Sequence, residues 1–185
     1  MKIKSNASSG ELSSPFYQIN KDFCSDFEDY IASKNGRVRG NFNAWSYFIE
    51  AKIEVPKLWK LTYKRATYSS TGNLLLSSKS QSLLTSALWE TKLSPSDCSE
   101  FVIQRAKNTN MIKRLFGKQE KFKDTVDYVI KGAEGILTDR LYSILFPLFK
   151  TGELYNIYFR DNKLAISLRS NEHHFNIFNK LLKLN

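Results

Sequence analysis

The chain of 185 residues contains only two cysteines and two histidines. Cys24 and Cys98 lie far apart and do not form a C-x-x-C pair, so the sequence predicts no disulfide framework. A structural zinc site needs about four cysteine or histidine ligands. The chain has only four such residues in total, and its two cysteines lie far apart. We therefore predict two free thiols, no metal site and no cofactor.

Long hydrophobic runs are also missing. No stretch reaches the roughly 18 apolar residues that a membrane-spanning helix needs. The first residues, MKIKSNASSGELSSP, include two lysines but no apolar segment of the kind that marks a secretory signal. These absences predict a cytoplasmic protein without a transmembrane segment, and they leave peripheral contact with a membrane open.

The common catalytic signatures are absent as well. The chain has no glycine-rich phosphate loop, no H-E-x-x-H and no G-x-S-x-G. We therefore predict that the protein is not an enzyme and has no catalytic residues.

One short stretch raises the opposite possibility. The segment RSNEHHF (169–175) holds both histidines, and Arg169 and His174 show the R-x-x-x-x-H spacing of some ribonucleases. The alternating apolar residues before Arg169 instead indicate a strand that gives way to a helix, with Ser170 or Asn171 as the helix cap. We favour this strand-to-helix junction and expect His174 on the buried side of the helix.

The composition shows what kind of chain this is. Hydrophobic residues make up 42% and aromatic residues 14%, which is typical of a globular protein. We predict a flexible lead over residues 1–13 and a single domain over residues 14–185. The net charge of +10 favours an anionic partner, such as nucleic acid, an acidic protein or an anionic membrane surface. A basic surface that serves only solubility is the alternative.

A basic stretch with seven cations lies between residues 101 and 123, where Glu120 is the only acidic residue. Phosphate binding requires clustered cations, so this run supplies the candidate polyanion-binding residues. They are Arg105, Lys107, Lys113, Arg114 and Lys118. Lys52, Lys60 and Lys64 could form a second basic surface on the sheet.

The periodicity of apolar residues predicts an α+β fold with a mostly antiparallel sheet and about four helices. The first helix is capped by Ser14, ends at Gly36 and buries a stripe of Phe16, Ile19, Phe23, Phe27, Tyr30 and Ile31. The other helices are expected at 110–116, at 138–152 with Thr138 as cap, and from Asn171 to the end. Strands are expected at 45–55 and 57–68 as a hairpin, at 87–93, 100–106 and 125–132, and on both sides of Asp161-Asn162.

The second half also contains the segments FVIQR, LFGKQ, TVDYVIKG and YNIYFRDNKLAISL, followed by an amphipathic end. Together these resemble an uncharacterised bacterial family of soluble α+β domains that often follow a short membrane hairpin. The resemblance covers roughly residues 100–184, and GRVRGNFNAWSYFIEAKIEV is similar to the family's earlier strand pair. It implies an α+β fold and no activity or site residue.

These observations favour a non-catalytic binding domain with a basic surface suited to an anionic partner. One alternative is an RNA-directed protein, either a basic RNA binder or a ribonuclease that uses Arg169 and His174. Another alternative is a small immunity or accessory protein that neutralises the activity of a neighbour.

Overall fold

The computed structural model describes residues 2–68, 82–93, 99–106, 120–125 and 127–184. The chain has an α+β fold, as predicted, and divides into two compact units. The first unit comprises Met1–Leu88 and Ser170–His173, and the second comprises Trp89–Arg169 and His174–Asn185. The single domain over 14–185 stays a prediction.

The first unit is built on strands β1 to β4 and the first part of β5. Their bounds are Ile3–Ser5, Arg37–Phe42, Tyr47–Ile53, Trp59–Tyr68 and Ser82–Lys92. They lie in the order β1-β2-β3-β4-β5, with β1 parallel to β2 and with β2, β3 and β4 antiparallel. The β3–β4 pair confirms the predicted hairpin, because Ile53 lies opposite Trp59.

The first residues differ from the expectation of a flexible lead. Ile3–Ser5 forms strand β1, and Ser9–Glu11 forms a short 3-10 helix. A strand of three residues is too short for a visible alternation of polar and apolar side chains. Its pairing with β2 is therefore a tertiary feature that the sequence pattern does not show.

Helix α1, Pro15–Ser33, begins as predicted, with the Ser14 hydroxyl accepting a hydrogen bond from the Phe16 amide. Its buried face is rotated from the predicted stripe, and Ile19 is 52% exposed. The reason is Asn20, which is buried and donates hydrogen bonds to the Asn43 and Ala44 carbonyls. The core positions are Asn20, Cys24, Phe27 and Ile31.

The end of α1 also departs from the prediction. The left-handed residue after the helix is Asn35, at φ 54°, and not Gly36. Gly36 is needed for another reason, because a Cβ there would lie 2.6 Å from Ile31 Cγ2 and 2.7 Å from the Lys52 carbonyl oxygen. The glycine thus permits close packing of the helix end against β3.

The second unit contains the last part of β5, five further strands and two helices. In chain order these are β6 Phe101–Arg105, β7 Glu120–Lys121, β8 Tyr128–Gly132, α2 Ile136–Thr151, β9 Leu154–Arg160, β10 Lys163–Leu168 and α3 Phe175–Leu181. The strand order is β5-β10-β9-β6-β8-β7. The β9–β10 hairpin turns at Asp161 and Asn162, both with positive φ, as the sequence predicts.

Two predicted helix caps are wrong. Thr138 lies inside α2, where its hydroxyl bonds both the amide and the carbonyl of Gly135, the true cap. Helix α3 begins only after His174, so neither Ser170 nor Asn171 caps it. The Ser170 hydroxyl accepts from the Glu172 amide, and the Asn171 side chain accepts from Thr85.

Pro147 lies inside α2, which continues to Thr151. The helix predicted at 110–116 lies outside the described residues. Within the described ranges there are three α-helices and one 3-10 helix.

Candidate nucleic-acid interface

The sheet of the first unit has one buried and one exposed face. Side chains alternate along β2, β3 and β4, so that every second residue points towards α1 and the core. The opposite set forms what we call the basic sheet face. Its members are Arg37, Arg39, Asn41, Phe48, Glu50, Lys52, Lys60, Thr62 and Lys64.

The strand register places three cations of this face in one row. Arg37 on β2 lies opposite Lys52 on β3, which in turn lies opposite Lys60 on β4. Neighbouring strands are about 4.8 Å apart, so three like charges lie side by side. All three side chains are exposed, and the described part of the chain offers none of them an ion-pair partner. Like charges directly opposite destabilise a sheet unless an anion lies between them.

The next row along the strands is electrically balanced. Arg39 lies opposite Glu50, and the Arg39 Nη2 atom is 2.6 Å from Glu50 Oε2. Thr62 completes the row on β4. This ion pair neutralises one arginine and leaves the excess positive charge on the rows to either side.

The third row combines a ring with polar groups. Phe48 on β3 is 44% exposed, and it lies between Asn41 on β2 and Lys64 on β4. Across all three rows, the face carries five cations and one carboxylate, so its formal charge is +4.

Most of the predicted polyanion site lies outside the described residues, namely Lys107, Lys113, Arg114 and Lys118. Arg105 is described, and it has structural contacts. Its Nη1 atom donates to the Gly152 carbonyl at 3.0 Å, and its Nη2 atom is 4.0 Å from Asp127 Oδ2. These contacts use part of the Arg105 guanidinium group, so that part is not available to bind a polyanion.

The second basic surface suggested by the sequence is the one that the structure assembles. Lys52, Lys60 and Lys64 lie on one face, as the alternation predicts. The search for basic residues missed Arg37 and Arg39, because apolar periodicity did not mark β2 as a strand, although the family resemblance includes a strand pair over this segment. The alternating segment RVRGNF, with Val38 and Phe42 buried, is the signal that could have revealed them.

The segment RSNEHHF forms a strand-to-helix junction, as expected, but its two histidines belong to different units. In the first unit, His173 stacks on Phe23 with ring centroids 3.7 Å apart. Its Nε2 atom is 2.9 Å from the Phe23 carbonyl oxygen, so this nitrogen is the donor. The Tyr63 hydroxyl donates to the His173 carbonyl at 2.8 Å. His173 is therefore a packed structural residue.

In the second unit, His174 precedes α3 with φ 54°, and so it is not part of the helical stripe to which the sequence assigned it. Its Nε2 atom is 2.9 Å from Glu153 Oε2, and its side chain is 12% exposed. The Arg169 guanidinium lies 4.3 Å from the centroid of the Tyr155 ring. The pair proposed from the R-x-x-x-x-H spacing thus contacts two residues around the start of β9.

Among the described residues, no helix has the length and apolar character to cross a bilayer, and no group of acidic, cysteine and histidine side chains could hold a metal ion. No family model matches the chain, and no match was found among curated proteins or solved structures. The resemblance of residues 100–184 to the bacterial family stays a prediction.

Proposed function

We propose that the protein is a non-catalytic binding domain that contacts the phosphate backbone of nucleic acid through the basic sheet face. The observation that carries this proposal is the row formed by Arg37, Lys52 and Lys60. Holding three cations side by side raises the free energy of the folded protein, and a bound phosphate offsets that repulsion. Such a row therefore favours an anionic partner over a purely solubilising role.

The extent of the charge favours a polymer over a small anion. Lys60 and Lys64 are four residues apart on β4, which corresponds to about 13 Å along the strand. Repeated phosphates can contact both ends of the face at once, whereas one small anion cannot. The net charge of +10 adds a long-range attraction for a polyanion.

Reversing two charges in the row provides the first test. The Lys52→Glu/Lys60→Glu double variant is expected to bind a dye-labelled oligonucleotide at least about tenfold more weakly at low salt, because two phosphate contacts are lost. The wild-type log–log dependence of affinity on salt should have a slope of about −2 to −3, and the variant slope should be shallower by about 1–2. Fluorescence anisotropy over a salt series measures both quantities.

Lys21→Glu/Lys34→Glu is the matched control. Both residues belong to the α1 side of the unit, and the double variant has the same change in net charge. Binding should remain near that of the wild type. Equal losses in the two variants would assign the effect to net charge alone, and the proposal would then be wrong. It would also be wrong if the wild type bound only anionic lipid vesicles or acidic protein and no nucleic acid.

A second candidate function is supported by the contact between His174 and Glu153. A carboxylate that contacts an imidazole is one arrangement of a general base, and Arg169 contacts Tyr155, two residues after Glu153. We propose it only as the alternative, since the histidine is largely buried.

The two candidates predict different results for His174→Ala. We expect the wild type to leave labelled single-stranded RNA intact, and the variant to lose about 1–3 kcal/mol of unfolding free energy through lost packing and the lost contact with Glu153. Gel electrophoresis of the RNA and urea unfolding measure the two effects. Cleavage by the wild type that disappears in both folded Arg169→Ala and folded His174→Ala would instead establish the nuclease.

A further inference from the structure

We infer that the basic sheet face selects single-stranded nucleic acid over a duplex, and that Phe48 is the ring on which an unpaired base stacks. This inference rests on the proposed function and adds the class of nucleic acid that the face recognises. The evidence for it is the position of Phe48, an exposed aromatic residue among the cations of this face.

Phe48 interrupts an otherwise polar face. Among the rings of the hairpin whose side chains the structure describes, Tyr47, Trp59 and Tyr63 point to the opposite face and are at most 3% exposed. Phe48 instead remains 44% exposed at the centre of three strands. An apolar ring gains little stability at such a position, because water still contacts much of its surface. A role in contacting a ligand accounts for its presence better than packing does.

The neighbours of Phe48 suit a nucleotide. Lys64 lies directly opposite on β4, and Cβ atoms of such pairs are about 4.5–5.5 Å apart, so its ammonium group can reach a phosphate beside a stacked base. Asn41 lies opposite on β2 and offers both a donor and an acceptor to a base edge. The row of Arg37, Lys52 and Lys60 lies about 13 Å away along the strands and can hold the backbone further on.

This arrangement discriminates between nucleic-acid forms through access to the base. In a duplex, the faces of the bases are covered by their neighbours, so only the phosphates can contact the cations. In a single strand, an unstacked base can lie on Phe48, and the stacking adds to the phosphate contacts. Because every base has a flat π face, the contact should tolerate many sequences.

The test compares the wild type with Phe48→Leu and Phe48→Tyr. The probes are a labelled oligo(dT) of about 20 nucleotides and a mixed-sequence duplex of the same length. Both are long enough to extend across the basic sheet face. Phe48→Leu should weaken binding of oligo(dT) about five- to a hundredfold and leave duplex binding unchanged, whereas Phe48→Tyr should bind like the wild type.

Thermal unfolding of each variant shows whether the fold is intact, and leucine retains an apolar side chain at the exposed position. If Phe48→Leu binds oligo(dT) as well as the wild type while the Lys52→Glu/Lys60→Glu variant does not, the stacking role is overturned and the proposed function stands. Equal weakening for the duplex and the single strand would also overturn it. If the wild type binds neither probe, both proposals fail.

Discussion

Replacing Gly40 with alanine is expected to lower the free energy of unfolding by about 2–4 kcal/mol. Gly40 has φ 147°, a value that residues with a side chain rarely adopt. A Cβ at this position would collide with the Phe48 carbonyl oxygen and lie 2.7 Å from Ile49 Cα. Both obstacles are backbone atoms of β3, so β2 would have to move away from its neighbour.

Urea unfolding followed by circular dichroism measures this loss. Gly10→Ala is the matched control, because nothing lies within 4 Å of a Cβ at Gly10, and its effect should stay within about 0.5 kcal/mol. Gly40 lies between Arg39 and Asn41, so the variant should also bind nucleic acid more weakly. A Gly40→Ala protein as stable as the wild type would show that β2 does not need this close approach.

The free energy of unfolding is also expected to fall steeply between about pH 9 and pH 12. Burial raises the pKa of the Cys24 thiol from 9.0 to about 12, with a smaller contribution from the Glu28 carboxylate. The folded protein therefore keeps this proton, whereas the unfolded chain releases it above pH 9. The stabilisation is complete below pH 9 and is lost as the pH rises to about 12, which corresponds to about 4 kcal/mol for this one group.

The hydroxyl of Tyr47 acts in the same direction, because burial raises its pKa as well. Cys24→Ala removes the contribution of the thiol alone, so the unfolding free energy of the variant should fall less with pH than that of the wild type. Urea unfolding at a series of pH values measures the difference. An unchanged pH dependence in the variant would contradict the assignment to Cys24.

The same burial predicts slow chemistry at this thiol. A group with so high a pKa is almost entirely protonated near pH 8, and Cys24 is only 2% exposed. Peptide mapping after alkylation should therefore find Cys24 unlabelled in the native protein and labelled in denaturant. Cys98, the other thiol of the chain, lies outside the described residues.

Features that depend on neighbouring residues could be predicted from the amino-acid sequence alone. Ser14 and Pro15 start α1 because a hydroxyl and a proline satisfy the first turn of a helix locally. Asp161 and Asn162 form the β9–β10 turn because both tolerate positive φ. Alternation along β4 likewise placed Lys60 and Lys64 on one face.

Contacts between residues that are distant along the chain could not be predicted from the sequence and are known from the fold. Arg37 and Lys60 are far apart along the chain, so no local sequence pattern predicts that they lie close together. The strand register places both beside Lys52. Helix α1 buries Asn20, whose side chain donates hydrogen bonds to the Asn43 and Ala44 carbonyls. The periodicity of apolar residues along a helix does not reveal such a contact. Periodicity and turn signals act within a few residues, whereas strand register and buried hydrogen bonds depend on partners that folding alone brings together.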